Sequence, residues 1–117
     1  MKKKEILIVE DNNDIRELIG FILTEDSYEL KMCATAGALN TEMSKHLPNV
    51  IVLDIMLPDG NGIDLCRHIK NDPSTRHVPV VLMSAHENEW QKDSGADSFI
   101  AKPFNIGDFK SVVESYL

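Results

Sequence analysis

Val50-Ile51-Val52-Leu53-Asp54-Ile55-Met56-Leu57-Pro58-Asp59-Gly60-Asn61-Gly62 is the stretch on which the reading of the fold turns. Four aliphatic residues in a row describe a strand buried on both faces, since a strand with one wet face would alternate apolar and polar. The run stops on a carboxylate, Asp54, and then opens through Pro58, Asp59, Gly60 and Gly62 into a turn-rich loop. Ile63 to Lys70 follows as a short helix, and Asp72-Pro73 stops it.

Working outward, the same alternation of short apolar run and longer amphipathic stretch recurs. Ile6-Leu7-Ile8-Val9 is a second wholly apolar strand. The helix after it, Asn12 to Thr24, places Ile15, Leu18, Ile19 and Ile22 at helical spacing behind an Asn or Asp cap. Tyr28 to Cys33 alternates and reads as a more exposed strand, and Thr35 to Leu47 reads as a helix with Ala38, Leu39 and Met43 on its apolar side. Val78 to Met83 and Ser98 to Ala101 read as strands, with a brief helix at Glu87 to Asp93 between them. Asn105 to Leu117 closes the chain as a helix buried through Ile106, Phe109, Val112, Val113 and Tyr116. Five βα units without a composition break predict one α/β domain over residues 1–117, with a parallel sheet covered by helices on both faces.

Bulk composition agrees with a single core and narrows the function. The 117 residues carry 12 basic and 19 acidic side chains, a net charge of −7. That balance argues against direct nucleic-acid binding, which rests on Lys and Arg neutralising phosphates. Cys33 and Cys66 form no CxxC pattern and read as reduced, buried thiols. The apolar run behind Met1-Lys2-Lys3-Lys4 is too short for a signal peptide, and no stretch is long enough to span a bilayer, so a cytoplasmic location is expected.

In open parallel sheets, ligands bind beyond the carboxyl ends of the strands. Glu10 and Asp11 follow the first strand, Asp54 the third, Ser84 the fourth, and Lys102-Pro103 the fifth. Taken singly, each has an ordinary use: a carboxylate or serine there caps a helix or makes a turn, and a lysine is a surface charge. Together they bring three carboxylates, a hydroxyl and an ammonium to one sheet edge. Clustered carboxylates repel unless a cation neutralises them, and hard oxygen ligands suit Mg2+, with Mn2+ as a substitute. A lysine opposite suggests that a dianion also enters, the arrangement needed to form an aspartyl phosphate.

Over essentially its whole length the chain resembles the receiver domain of two-component response regulators. The resemblance is carried by Ile6 to Asn12, Val52 to Gly62, Val80 to Ala85 and Gly95 to Phe104. It implies a doubly wound, flavodoxin-like (βα)5 fold with a five-stranded parallel sheet of order 2-1-3-4-5. It also implies that Asp54 is the nucleophile that takes a phosphoryl group from a sensor histidine kinase or phosphotransfer protein. Asp11, Asp54 and the Met56 carbonyl would hold Mg2+, with Glu10 helping through water. Lys102, Ser84 and the Ala85 N–H would bind the phosphoryl oxygens. Ser84 and Phe99 would form the switch, a cis bond before Pro103 would aim the lysine, and a downstream protein target or effector domain would receive the signal. Met56 and His86 would flank the phosphoryl group and affect its lifetime. His46, His68 and His77 read as surface residues.

Two departures from the family pattern stand out. Glu10 and Ser84 replace the commoner Asp and Thr, keeping the functional groups. Ser84 to Gly95 spans only eleven positions, which shortens the fourth helix by roughly one turn and leaves Trp90 as its only large apolar residue. This helix is either a harmless deletion pinned by Trp90 or a remodelled output surface. Two other functions compete with the phosphoacceptor. A pseudo-receiver would be expected to lack Asp54, Asp11 or Lys102, and all three are present. An unrelated Mg2+-dependent phosphatase would need a second acid where Met56 stands. The sequence leaves open a stand-alone regulator and a domain of a longer one, as well as the oligomeric state.

Overall fold

The computed structural model describes residues 3–85 and 93–117. All of the helix expected over Glu87 to Asp93 except Asp93, which is not helical, lies outside the described residues, as do Trp90 and His86. The described chain runs β1 (Lys4–Val9), α1 (Asn13–Ile22), β2 (Tyr28–Cys33), α2 (Ala36–Lys45), β3 (Val50–Asp54), β4 (Met56–Leu57), β5 (Gly60–Asn61), α3 (Gly62–Asn71), β6 (Val80–Ser84), β7 (Ser98–Ala101) and α4 (Ile106–Glu114).

Five strands form one parallel sheet in the order β2-β1-β3-β6-β7, which is the 2-1-3-4-5 order expected of a doubly wound fold. Every residue of β3 and of β6 is buried, which is why their sequences do not alternate. The pleat sends alternate residues to opposite layers. Leu7, Val9, Ile51, Leu53, Val80 and Leu82 pack with Leu39 of α2 and with Ile63, Cys66 and Ile69 of α3. Ile6, Ile8, Val50, Val52, Val81 and Met83 pack with Ile19 and Ile22 of α1 and with Phe109 and Val113 of α4. Each aliphatic side chain fully buried in this way contributes about 1.5–3 kcal/mol, so the two layers dominate the stability.

The four described helices start on side-chain caps: Asn12, Thr35, Asn61 and Asn105 accept from the N–H of Ile15, Ala38, Ile63 and Asp108. Such a cap is worth about 1 kcal/mol and fixes where each helix leaves the strand end. No helix among the described residues is long and apolar enough to cross a membrane.

Several expectations need correcting. Residues 57–62 are not a plain loop: β4 and β5 pair antiparallel, Met56 with Asn61 and Leu57 with Gly60. The fourth sheet strand starts at Val80, although Val78 is buried as well. Ile106, read as a buried face of the last helix, is 54% exposed, and Leu18 of α1 is exposed too. Both sit at helical spacing with core residues, but the rotation of each helix on the sheet turns them outward.

Candidate functional site

Glu10 continues β1, Asp54 ends β3, Ser84 ends β6 and Lys102 continues β7. The ladder extends to these residues, since Glu10 N–H donates to Cys33 O and Lys102 N–H donates to Ser84 O, each at 2.9 Å. Their backbones are therefore held by the sheet itself, and their side chains meet beyond its carboxyl edge. The cleft there has a volume of about 520 Å3 and is lined by Glu10, Asp11, Asn12, Ile15, Asp54, Met56, Ser84, Ala85 and Lys102. It lies where the strand order reverses between β1 and β3.

Burial and charge are balanced tightly. Glu10 is 0%, Asp54 5% and Ser84 3% exposed, whereas Asp11 is exposed. Lys102 Nζ lies 2.5 Å from Glu10 Oε1 and 3.1 Å from Asp54 Oδ2, so one ammonium faces two buried carboxylates. Burial pushes the Glu10 carboxyl above its ordinary pKa, against the pull of the Lys102 hydrogen bond. Burial works against the charge of Lys102, but its bond to Glu10 and the charge of Asp54 outweigh this and hold the ammonium above the usual lysine value. The Lys102–Pro103 peptide bond is cis.

Oxygen atoms of Glu10, Asp11 and Asp54 all lie within 4.8 Å of one another. Three hard carboxylate donors, one of them open to solvent, fit a divalent cation that keeps some of its water, as Mg2+ does. Phe99 is half-buried, opposite Leu82 in the ladder, and packs on the α2–α3 layer.

A family model described as the response regulator receiver domain matches residues 6–114. The chain belongs to that family. This receiver is 34% identical over 106 residues to the phosphate regulon transcriptional regulatory protein PhoB of Escherichia coli (strain K12), covering 87% of the chain and 46% of PhoB. It is 36% identical over 121 residues to the histidine kinase P4 of Formosa agariphila, covering 99% of the chain and 9% of the kinase. The receiver thus spans less than half the length of these curated relatives. Among solved structures, the signal receiver domain of a signal transduction histidine kinase from Syntrophus aciditrophicus matches with a TM-score of 0.89 and 31% identity, over 97% of this receiver and 89% of that chain.

The receiver brings Glu10, Asp11, Asp54, Ser84 and Lys102 from the strand ends into one cleft. Two polar side chains, one behind the site and one at the start of α2, escaped that reading. Arg16 reaches back from α1 to the carbonyl of Glu10, and Asp59 reaches from the β4–β5 turn to the start of α2. The only signals were a lone arginine in an acidic first turn and an acid in a turn, neither distinctive.

Proposed function

We propose that this receiver is a phosphoacceptor: Asp54 takes a phosphoryl group from a phosphohistidine of a sensor kinase or phosphotransfer protein and thereby switches an output surface. The observation that carries the proposal is the Lys102 ammonium 3.1 Å from Asp54, inside a cluster of three carboxylates.

A carboxylate oxygen of Asp54 attacks phosphorus, the P–N bond to the donor imidazole breaks, and the imidazole leaves with a proton taken up on its nitrogen. Little covalent chemistry is required of the protein, so positioning and charge neutralisation carry the rate. Asp54 is nearly buried and lines the cleft, so the phosphoryl group reaches it through that opening. Lys102 pivots from Glu10 towards the incoming oxygens, and the Ser84 hydroxyl and Ala85 N–H, on the same wall, donate to them. Bound Mg2+, held by Asp11, Asp54 and the Met56 carbonyl with Glu10 behind it through water, would neutralise charge on the same oxygens. Recruiting Ser84 to the phosphate draws the end of β6 inward, and Phe99 on the neighbouring strand follows. Phosphohistidine donors are made from ATP, which puts the exchange in the cytoplasm, and the net charge of −7 favours a protein rather than a nucleic acid as the recipient.

Incubation with Mg2+ and acetyl phosphate should add one phosphoryl group to the intact mass of the wild type and none to Asp54→Asn. Failure with acetyl phosphate and with a panel of phosphorylated kinases, together with no detectable Mg2+ binding, would sink the proposal and leave a protein-binding pseudo-receiver.

A further inference from the structure

We propose that Arg16 is a positioning residue for the cation site: it grips the peptide groups on both sides of Asp11 and so aims the Asp11 carboxylate before a cation arrives. This rests on the reading of Glu10, Asp11 and Asp54 as a divalent-cation site.

Arg16 Nη1 donates to Glu10 O at 2.8 Å and, more weakly, to Asp11 O at 3.4 Å, while Nη2 binds Asn13 Oδ1. The Glu10 carbonyl belongs to the peptide plane before the Asp11 Cα, and the Asp11 carbonyl to the plane after it. Peptide groups are rigid, so holding both planes leaves Asp11 little freedom in φ or ψ.

Asp11 needs this more than its neighbours do. The Glu10 carboxylate is held by Lys102 and by the N–H of Asn12 at 3.1 Å, and Asp54 is held by Lys102. Among the described residues, nothing bonds to the exposed Asp11 carboxylate itself, so the fold directs it through the backbone, which fixes the Cα–Cβ direction from which the carboxylate swings. The planar fork of a guanidinium can meet two carbonyls and a side-chain amide at once, which an ammonium cannot do with the same geometry. Groups that orient metal ligands from behind commonly matter as much as the ligands.

Charge and clamp predict opposite signs, which makes the proposal testable. The guanidinium is a cation beside a cation site, so losing its charge alone would tighten Mg2+ binding. Losing the clamp would loosen it. Mg2+ affinity would be measured by calorimetry on the full chain for the wild type, Arg16→Lys and Arg16→Gln, alongside melting in EDTA. Both variants are expected to bind Mg2+ about tenfold more weakly, with metal-free melting little changed.

Wild-type or tighter affinity in either variant overturns the clamp. A drop in metal-free melting without loss of affinity overturns it as well, since Arg16 would then merely support the fold. A wild type that binds no Mg2+ overturns the cation site first and the clamp with it, which separates the two failures.

Discussion

The Lys102 ammonium stands closer to Glu10 than to Asp54, the proposed phosphoacceptor: 2.5 Å against 3.1 Å. In this state the lysine bridges the two acids and offsets their mutual repulsion. Removing one partner of a buried ionic group leaves the other uncompensated, at a cost of several kcal/mol. Lys102→Met is therefore expected to lower stability in EDTA by about 3 kcal/mol. Saturating Mg2+ should restore more stability to the variant than it adds to the wild type, because it neutralises the same two carboxylates. Urea unfolding with and without Mg2+ checks both halves, and equal gains would contradict the bridging role.

Gly62 opens α3 against the back of the Asp54 loop, and its N–H donates to Ile55 O at 2.7 Å. A Cβ there would lie 2.3 Å from the Asp54 carbonyl oxygen and 2.8 Å from the Ile55 Cα, both backbone atoms that cannot swing aside. Gly62→Ala should cost about 3 kcal/mol through this overpacking. It should also slow phosphorylation of Asp54, since the backbone that carries the carboxylate must move. Urea unfolding and the rate of mass gain with acetyl phosphate would report the two effects.

Asp59, at the tip of the β4–β5 turn, accepts from the N–H groups of Ala36 at 2.7 Å and Gly37 at 3.1 Å. These bonds, the one from Ala36 foremost, hold its carboxyl below the ordinary aspartate range. A depressed folded value stabilises the fold above the unfolded pKa of about 3.9, and the contribution is lost as pH falls through the folded value. Asp59→Asn should thus lower the urea midpoint at neutral pH, and the difference from the wild type should shrink as both are acidified. A difference that stays constant down to acid pH would rule out the carboxylate as its source.

Tyr28, at the start of β2, donates to Glu114 Oε2 near the end of α4 at 2.5 Å. That bond is the main reason its phenol is pushed up to about 12, with burial second. A raised folded value means the bond stabilises fully below the unfolded pKa of about 10 and is lost as pH climbs through the folded one. Ultraviolet titration should show one of the two tyrosines ionising late, near 12. Glu114→Gln should move that step back towards the ordinary value.

Much of this protein was decided by its sequence alone. Strands buried on both faces require unbroken apolar runs, so Ile6 to Val9 and Val50 to Leu53 declare themselves, and the residues that stop those runs fall at the sheet edge. Glu10, Asp54, Ser84 and Lys102 could be named for that reason, before any distance was known. The four described helices were equally plain, because the apolar period of 3.6 and the Asn and Thr caps act over a few neighbouring residues.

What depended on distant parts of the chain was not legible. Lys102 and Glu10 are 92 residues apart, and nothing local says which acid the ammonium prefers. Asp59 caps a helix 23 residues earlier. The exposure of Ile106 has the same origin: its spacing fits the core, yet the rotation of α4 is set by Phe109 and Val113 wedging onto the sheet. Short-range propensity and periodicity write the elements and the strand-end chemistry. Only their packing in three dimensions chose the partners.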